Sequence, residues 1–226
     1  MLAVLLCVAV SAQTHKPFPG DTADQRTLRL QERVEELYKA GDFRRALLIY
    51  ENDLAPTGDK YAQYMVGYMH LNGQGTTADR TEAMAWYRLA SERDDSVLDK
   101  ARDELAVAMS PADLTASNQI FVELWKKIGD SRLIMELIQS DMSILRARTG
   151  SRIPGSIATS PSLIYRPTGE LVGPGYYREV RIRLQARLNY LETEVTVIDI
   201  AMDSDDEDLR MLEQQIKEEL AALSQP

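Results

Sequence analysis

The chain has 226 residues, of which 44% are hydrophobic, and carries a formal net charge of −9 at pH 7. This length and apolar content suffice for one domain with its own core, with or without an appendage. The excess of acidic residues argues against a nucleic-acid-binding protein, because contacts to phosphates need a basic surface. No apolar run approaches the roughly 18 residues that a membrane-spanning helix requires, so we expect no integral membrane span.

The first residues form a short apolar block, Leu2–Val10, which polar residues follow. Val10-Ser11-Ala12 fits the small-residue site at which signal peptides are cleaved. We therefore expect residues 1–12 to be a signal peptide cleaved after Ala12, and the mature protein to be periplasmic or secreted. Two observations leave alternatives open: no Lys or Arg precedes the block, and a buried first helix would also be apolar.

Cys7 is the only cysteine and lies within the apolar block. A lipid-modified cysteine would follow small residues, whereas Leu5 and Leu6 precede Cys7. Cleavage after Ala12 would leave a mature chain without disulfides or thiolate metal sites. The polar residues 13–24, which contain proline and glycine, predict a flexible leader.

Residues 25–148 predict an all-α domain. Apolar residues recur there at spacings of three and four, as in Leu30, Val34 and Leu37. Breaks that contain glycine or proline divide the pattern into about seven helices, which we expect to form consecutive antiparallel pairs. Ser110-Pro111 is typical of a helix start, because serine caps the backbone and proline is favoured in the first turn.

An internal repeat supports the pairing of helices. An aspartate, an alanine and a tyrosine recur twice at the same four-residue spacing. The two sets are Asp42, Ala46 and Tyr50, and Asp79, Ala83 and Tyr87. Such self-similarity is typical of helical repeats. The first copy is degenerate, because its inter-helix loop, residues 39–41, is shorter.

The second copy carries a longer pattern of small, aromatic and turn residues. Its members are Ala62, Val66-Gly67-Tyr68, Gly73-Gln74-Gly75, Asp79, Glu82-Ala83, Trp86-Tyr87 and Ala90-Ser91. This stretch resembles the Sel-one-like repeat, a relative of the tetratricopeptide repeat. Thr76 and Asp94-Asp95 depart from the family pattern, which indicates an atypical or terminal repeat. The resemblance implies a short solenoid of helix pairs, and similar proteins serve as adaptors in signalling, secretion and envelope assembly.

Each residue of the pattern has an architectural role that the residue types predict. Gly67 lets one helix approach its partner closely, and Ala83 and Ala90 leave a shallow stripe for that helix to enter. The aromatic members, which are Tyr68, Trp86 and Tyr87, are expected to fill the space between stacked hairpins.

The loop residues have roles as well. Gly73 and Gly75 supply positive-φ positions for a tight exit from the first helix. Asp79 is a candidate N-cap of the second helix, because its carboxylate can accept hydrogen bonds from the first backbone N–H groups.

Residues 149–175 contain glycine, proline and serine throughout and predict a linker. Residues 176–226 predict a C-terminal coiled-coil-like helical segment, because leucines and other apolar residues alternate four and three apart. These are Leu184, Leu188, Leu191, Val195, Ile198 and Met202, with Leu209, Leu212 and Ile216 resuming the seam. Whether the segment is a hairpin restarting at Ser204 or one long helix stays open.

Charges of opposite sign follow one another in this segment. Four arginines begin it, and residues 203–219 carry eight acidic residues against Arg210 and Lys217. The arginines are Arg178, Arg181, Arg183 and Arg187. They predict either a solvated helix exterior or a docking patch for a protein partner or a second copy.

The sequence offers no recognisable catalytic set. Its two histidines, His15 and His70, are too few for a metal cluster and leave no plausible serine–histidine relay. Glycine-containing segments lack the preceding strand and the lysine of phosphate-binding loops. We therefore expect no catalytic, cofactor-binding or metal-binding residues. A hydrolase like some cysteine-rich relatives would need the cysteines and the nucleophile motif that this chain lacks.

These observations favour a non-enzymatic protein–protein interaction module, an adaptor or scaffold in the bacterial cell envelope with an unidentified protein partner. Repeat proteins of this shape commonly bind partners in an extended groove. The alternative is a structural envelope protein that forms homo-oligomers through residues 176–226.

Overall fold

A computed structural model describes residues 18–20, 23–93, 95–149, 164–165, 171–172 and 174–191. The predicted signal peptide, most of the leader, and residues 192–226 with their acidic stretch lie outside the described residues. Within the described ranges, no helix is long and apolar enough to cross a membrane.

The described chain is helical apart from one short pair of strands. The α-helices are α1 (Gln25–Lys39), α2 (Phe43–Ile49), α3 (Lys60–Asn72), α4 (Arg80–Ala90), α5 (Ser96–Val107), α6 (Pro111–Ile128), α7 (Asp130–Thr149) and α8 (Pro174–Tyr190). A π turn (Tyr50–Leu54) and a 3₁₀ turn (Ala55–Thr57) follow α2, and a second 3₁₀ turn (Ser91–Arg93) follows α4. Within the predicted linker, β1 (Ile164–Tyr165) pairs antiparallel with β2 (Leu171–Val172). The all-α class and the seven helices of the first part, α1–α7, are confirmed.

Short polar side chains set the starts of the helices. The N-cap side chains of α1 to α6 each accept a backbone N–H of the first turn. They are Asp24, Asp42, Asp59, Asp79, Asp95 and Ser110. A carboxylate at this position satisfies otherwise unpaired donors and interacts favourably with the helix dipole. The two predicted repeat copies therefore start alike, with Asp42 before α2 and Asp79 before α4.

The α3–α4 hairpin depends on a close approach at Gly67. A Cβ atom at this position would lie 2.6 Å from Cδ1 of Tyr87 and 3.1 Å from the carbonyl oxygen of Ala83. Ala62 and Ala83 are completely buried, and Tyr87 is 3% exposed. Small residues at the crossing thus let the two helices pack with the Tyr87 ring between them.

The loop between α3 and α4 also contacts the preceding hairpin. Gly73 ends α3 in the left-handed conformation, with φ 64°. Gly75 also has a positive φ, 81°, and a Cβ there would lie 2.5 Å from the carbonyl oxygen of Phe43. In addition, Tyr38 Oη donates a hydrogen bond to Gln74 Oε1 at 2.9 Å. The loop therefore contacts the start of α2 and connects the two repeat copies.

A network of buried charges connects the repeat to α7. Lys60 Nζ lies 2.5 Å from Glu92 Oε2 and 3.1 Å from Asp130 Oδ1, and it donates to the carbonyl oxygen of Leu89 at 2.9 Å. Arg93 donates two hydrogen bonds to the Asp130 carboxylate, at 2.7 and 2.8 Å. Burial raises the pKa of Glu92, and Lys60 offsets this only in part.

The pKa of Asp130, the second carboxylate of this network, is shifted in the opposite direction from that of Glu92. Burial alone would raise the pKa of Asp130, but hydrogen bonds from Arg93 and the charge of Lys60 outweigh burial and lower it. Since Lys60 begins α3, Arg93 follows α4 and Asp130 begins α7, the network fixes three helix ends relative to one another.

Two apolar clusters form most of the core. The first is built by α1–α4 and α6, with the side chains of Val34, Leu54, Val66, Leu89 and Trp125 at its centre. The second lies between α7 and α8. It contains Ile134, Ile138, Met142, Leu184 and Tyr190, against which Phe18 of the predicted leader packs.

An ion pair lies within the α7–α8 interface. Arg187 donates to Asp141 Oδ2 at 2.6 Å, and the two side chains are 1% and 0% exposed. Arg187 also donates to the carbonyl oxygens of Leu137 (3.2 Å) and Pro19 (3.0 Å). Arg183, one turn earlier, donates to the same Asp141 carboxylate.

The helix α8 is therefore part of the packed structure. Of the predicted coiled-coil seam, Leu184 is buried between α7 and α8, and Leu188 and Leu191 pack against the same cluster. These three side chains therefore pack against other residues of the same chain. The remaining seam residues lie outside the described ranges.

We expect Gly75→Ala to destabilise the protein more than Gly41→Ala. Both glycines have positive φ values, 81° and 78°, so alanine costs about 1–2 kcal/mol of backbone strain at either position. A Cβ at position 41 meets nothing within 4 Å, whereas at position 75 it meets the backbone of Phe43. The free energy of unfolding, measured with urea, should differ between the variants by a further 1–3 kcal/mol, roughly the cost of overpacking. Equal losses would contradict the described contact.

We expect Asp141→Ala to lower the free energy of unfolding by about 3–5 kcal/mol, because it removes the carboxylate that compensates the buried charge of Arg187. Glu136→Ala is the matched control on the same helix, since Glu136 pairs with Arg132 at 2.8 Å in an exposed position. Its loss should be at most about 1 kcal/mol. Similar losses in the two variants would mean that the α7–α8 ion pair is not buried in solution.

Candidate partner-binding groove

A groove opens between α1, the π turn and the start of α3, and we call it the α1–α3 groove. Its cavity measures about 270 Å³. The lining residues are Gln31, Val34 and Glu35 from α1, Tyr50 and Leu54 from the π turn, and Asp59 and Tyr61 from the start of α3. None of these seven residues is cationic.

The floor of the groove is apolar and its rim is polar. Val34 and Leu54 are each 1% exposed and Tyr50 is 2% exposed. At the rim, Tyr61 is 55% exposed and Glu35 is also exposed. The groove therefore combines buried apolar surface with an accessible aromatic ring and an accessible carboxylate.

Two carboxylates, those of Glu35 and Asp59, line the groove. Asp59 accepts hydrogen bonds from the Ala62 N–H (3.0 Å) and from Gln31 Nε2 (2.9 Å), but within the described residues it has no ion pair. Burial raises the pKa of Tyr61, and the negative charge of Glu35 raises it further. Burial likewise raises the pKa of Tyr50, with smaller effects from Glu35 and Asp59.

A larger cavity, of about 860 Å³, shares Gln31 and Asp59 with the α1–α3 groove. Part of its wall comes from the chain's own leader, since Phe18 lines it. The Phe18 ring lies 3.7 Å from the Arg93 guanidinium carbon and meets Tyr190 edge-on at 5.3 Å between ring centroids. The leader is therefore packed here at Phe18 and forms part of the cavity wall.

Tyr61 differs from the other exposed large hydrophobic side chains in lining a cavity. Among the residues that the structure describes, six large hydrophobic side chains are exposed: Leu28, Leu48, Tyr61, Val97, Val107 and Ile182. Tyr61 is the one member of this set that lines either of the two cavities. An exposed aromatic ring beside an apolar pocket is a common anchor point in protein interfaces.

The structure divides the four arginines of the predicted docking patch. Arg178 and Arg181 are exposed on α8. Arg187 is buried and Arg183 shares its partner Asp141, so these two arginines stabilise the α7–α8 interface. The prediction of a four-arginine surface is therefore corrected to two exposed arginines, because Asp141 on a preceding helix neutralises the others.

The residues of the repeat pattern support the groove without lining it. Trp86 and Ala90 are 3% and 1% exposed in α4, and Tyr68 packs partly buried near α5. The sequence analysis did not predict Glu35 and Tyr61 as groove residues. Neither belongs to the pattern of small, aromatic and turn residues that begins at Ala62, and the two residues come together only through packing. The only sequence signal for an exposed Tyr61 was its position directly after Asp59-Lys60, where a helix starts.

Within the described ranges, no group of three or more His, Cys, Asp or Glu side chains could hold a metal ion. His70, which lies in the last turn of α3, is partly buried.

Comparison with protein families identifies the hairpin. Residues 60–95 match the family model of the Sel1 repeat, which spans α3, the glycine loop, α4 and the 3₁₀ turn that contains Arg93. Comparisons with curated proteins and with solved structures gave no significant match. Sel1 repeats generally mediate protein–protein interactions, which supports an interaction module. The chain is thus a protein with a Sel1 repeat at residues 60–95.

Proposed function

We propose that this protein is a non-enzymatic adaptor or scaffold that binds a partner protein through the α1–α3 groove. The observation that carries the proposal is the position of Tyr61, an exposed aromatic side chain beside an apolar cavity at the start of the Sel1 repeat. Interfaces draw most of their binding energy from a few anchors of this kind, which are commonly aromatic and lie over desolvated pockets.

The rigidity of the groove supports the same proposal. Its floor belongs to the first core cluster, and its α3 wall is fixed by the buried pairs of Lys60. A site that is already ordered loses less conformational entropy on binding, so affinity per contact is higher.

The proposed location is the bacterial cell envelope. Support comes from the apolar block Leu2–Val10 and the small residues Ser11 and Ala12 that follow it. Mass spectrometry of the protein from its native host should find an N-terminus at Gln13. Recovery of the intact Met1 start in a cytoplasmic fraction would contradict the location but leave the binding proposal untouched.

We expect Tyr61→Ala to reduce affinity for the partner, and so its capture from envelope extracts, by about thirtyfold or more, since losing an interface anchor commonly costs 2 kcal/mol or above. Leu48→Ala is the matched control, because Leu48 is 53% exposed, close to the 55% of Tyr61, and lines neither cavity. Captured proteins are quantified by mass spectrometry for each variant.

The bait should be the full chain. A fragment of residues 25–148 would lack α8, leaving Asp141 without its partners Arg183 and Arg187 and uncovering the second cluster. If the two variants capture the same proteins in the same amounts, the α1–α3 groove is not the binding site.

A further inference from the structure

We infer that the α1–α3 groove receives an arginine side chain from a basic segment of the partner protein. This inference rests on the proposed function and names the chemistry that the groove recognises. Three observations carry it: the shape of the cavity, the sign of the charge around it, and the aromatic ring at its rim.

The shape suits a long side chain with an apolar stem. Val34, Leu54 and Tyr50 form a buried apolar floor under a cavity of about 270 Å³. Arginine buries its methylene groups along such a surface while its charged end stays near water. The carboxylates of Glu35 and Asp59 lie among the lining residues, where that charged end would be placed.

The charge of the groove selects a cation. Glu35 and Asp59 are acidic, and no lining residue is basic. An acidic side chain of a partner would be repelled here, and like charges brought together at an interface are strongly unfavourable. A purely apolar side chain could fill the floor, but it would remove water from the carboxylates without adding a hydrogen bond or a positive charge, which is costly.

The present partner of Glu35 is easily exchanged. Lys39 lies one helical turn away with its Nζ 3.1 Å from Glu35 Oε2, and the two side chains are 76% and 47% exposed. Exposed pairs at this spacing stabilise a helix by only about 0.3–0.5 kcal/mol. A guanidinium that is partly desolvated in the groove can therefore displace Lys39 from Glu35.

The ring of Tyr61 favours arginine over lysine. A guanidinium is planar, so it can stack on an aromatic ring while it donates two parallel hydrogen bonds to a carboxylate. Lysine carries a compact, strongly hydrated charge and cannot make the bidentate contact. Tyr61 and Glu35 both line the groove, so it offers an aromatic ring and a carboxylate to one guanidinium.

The test uses the full chain and a fluorescein-labelled peptide in which arginine and alanine alternate, with affinity read from fluorescence anisotropy at 150 mM salt. The first variant is Glu35→Gln. Its matched control is Glu36→Gln, because Glu36 is exposed on the same helix, pairs with Arg33 at 3.2 Å and does not line the groove. Both variants change the net charge equally, and thermal unfolding checks that both remain folded.

Glu35→Gln should weaken binding of the arginine peptide about tenfold, because a close charge pair is lost. Glu36→Gln should change it by less than about twofold, since Glu36 does not line the groove and an exposed charge is screened by salt. A peptide with citrulline in place of arginine should bind the unaltered chain at least about tenfold more weakly, and a lysine peptide should fall between the two. Equal losses in both variants, or equal affinity for the citrulline peptide, would overturn the inference.

The same variants separate this inference from the proposed function. If Tyr61→Ala abolishes capture of the natural partner while Glu35→Gln leaves capture unchanged, the groove binds its partner without arginine recognition, and the inference is wrong. If neither variant affects capture, the proposed function fails together with the inference. Loss of capture in both, with Glu36→Gln unaffected, supports both.

Discussion

Lys60, the first residue of α3, places its ammonium group between two buried carboxylates, those of Glu92 and Asp130. Removing charges from water is costly, so each buried charge in this network needs its partners in place. Glu92 and Arg93 follow α4, and Asp130 begins α7. The pairing requirement therefore holds the start of α3 in position relative to these elements, in addition to the apolar contacts of the core.

This constraint connects the interior of the repeat to its surface. The residues on either side of Lys60, Asp59 and Tyr61, both line the α1–α3 groove. Gly67 and Tyr87 hold α3 against α4 further along the helix, so the wall of the groove has a rigid support behind it. The Sel1 repeat thus supplies the framework behind the α1–α3 groove, which we propose as the recognition surface.

Features that depend on neighbours in sequence could be predicted, and features that depend on distant packing could not. The N-cap Asp79 and the turn at Gly75 follow from local backbone chemistry, so the sequence was sufficient for them. From the sequence alone, Arg187 is expected to be an exposed charge on a helix. In the fold, Asp141 of α7 lies 2.6 Å from its guanidinium. The groove is likewise a product of packing, because Glu35 and Tyr61 lie on different helices and share no spacing pattern.

The central claim is that a partner protein contacts the α1–α3 groove at Tyr61. The most direct measurement replaces Tyr61 with the photoreactive residue p-benzoylphenylalanine in the native host and identifies crosslinked proteins by mass spectrometry. The same residue at Leu48, and at Arg181 on the exposed part of α8, gives the comparison. We expect a crosslinked partner from position 61 and none from positions 48 and 181. Crosslinks from position 181 with none from position 61 would contradict it.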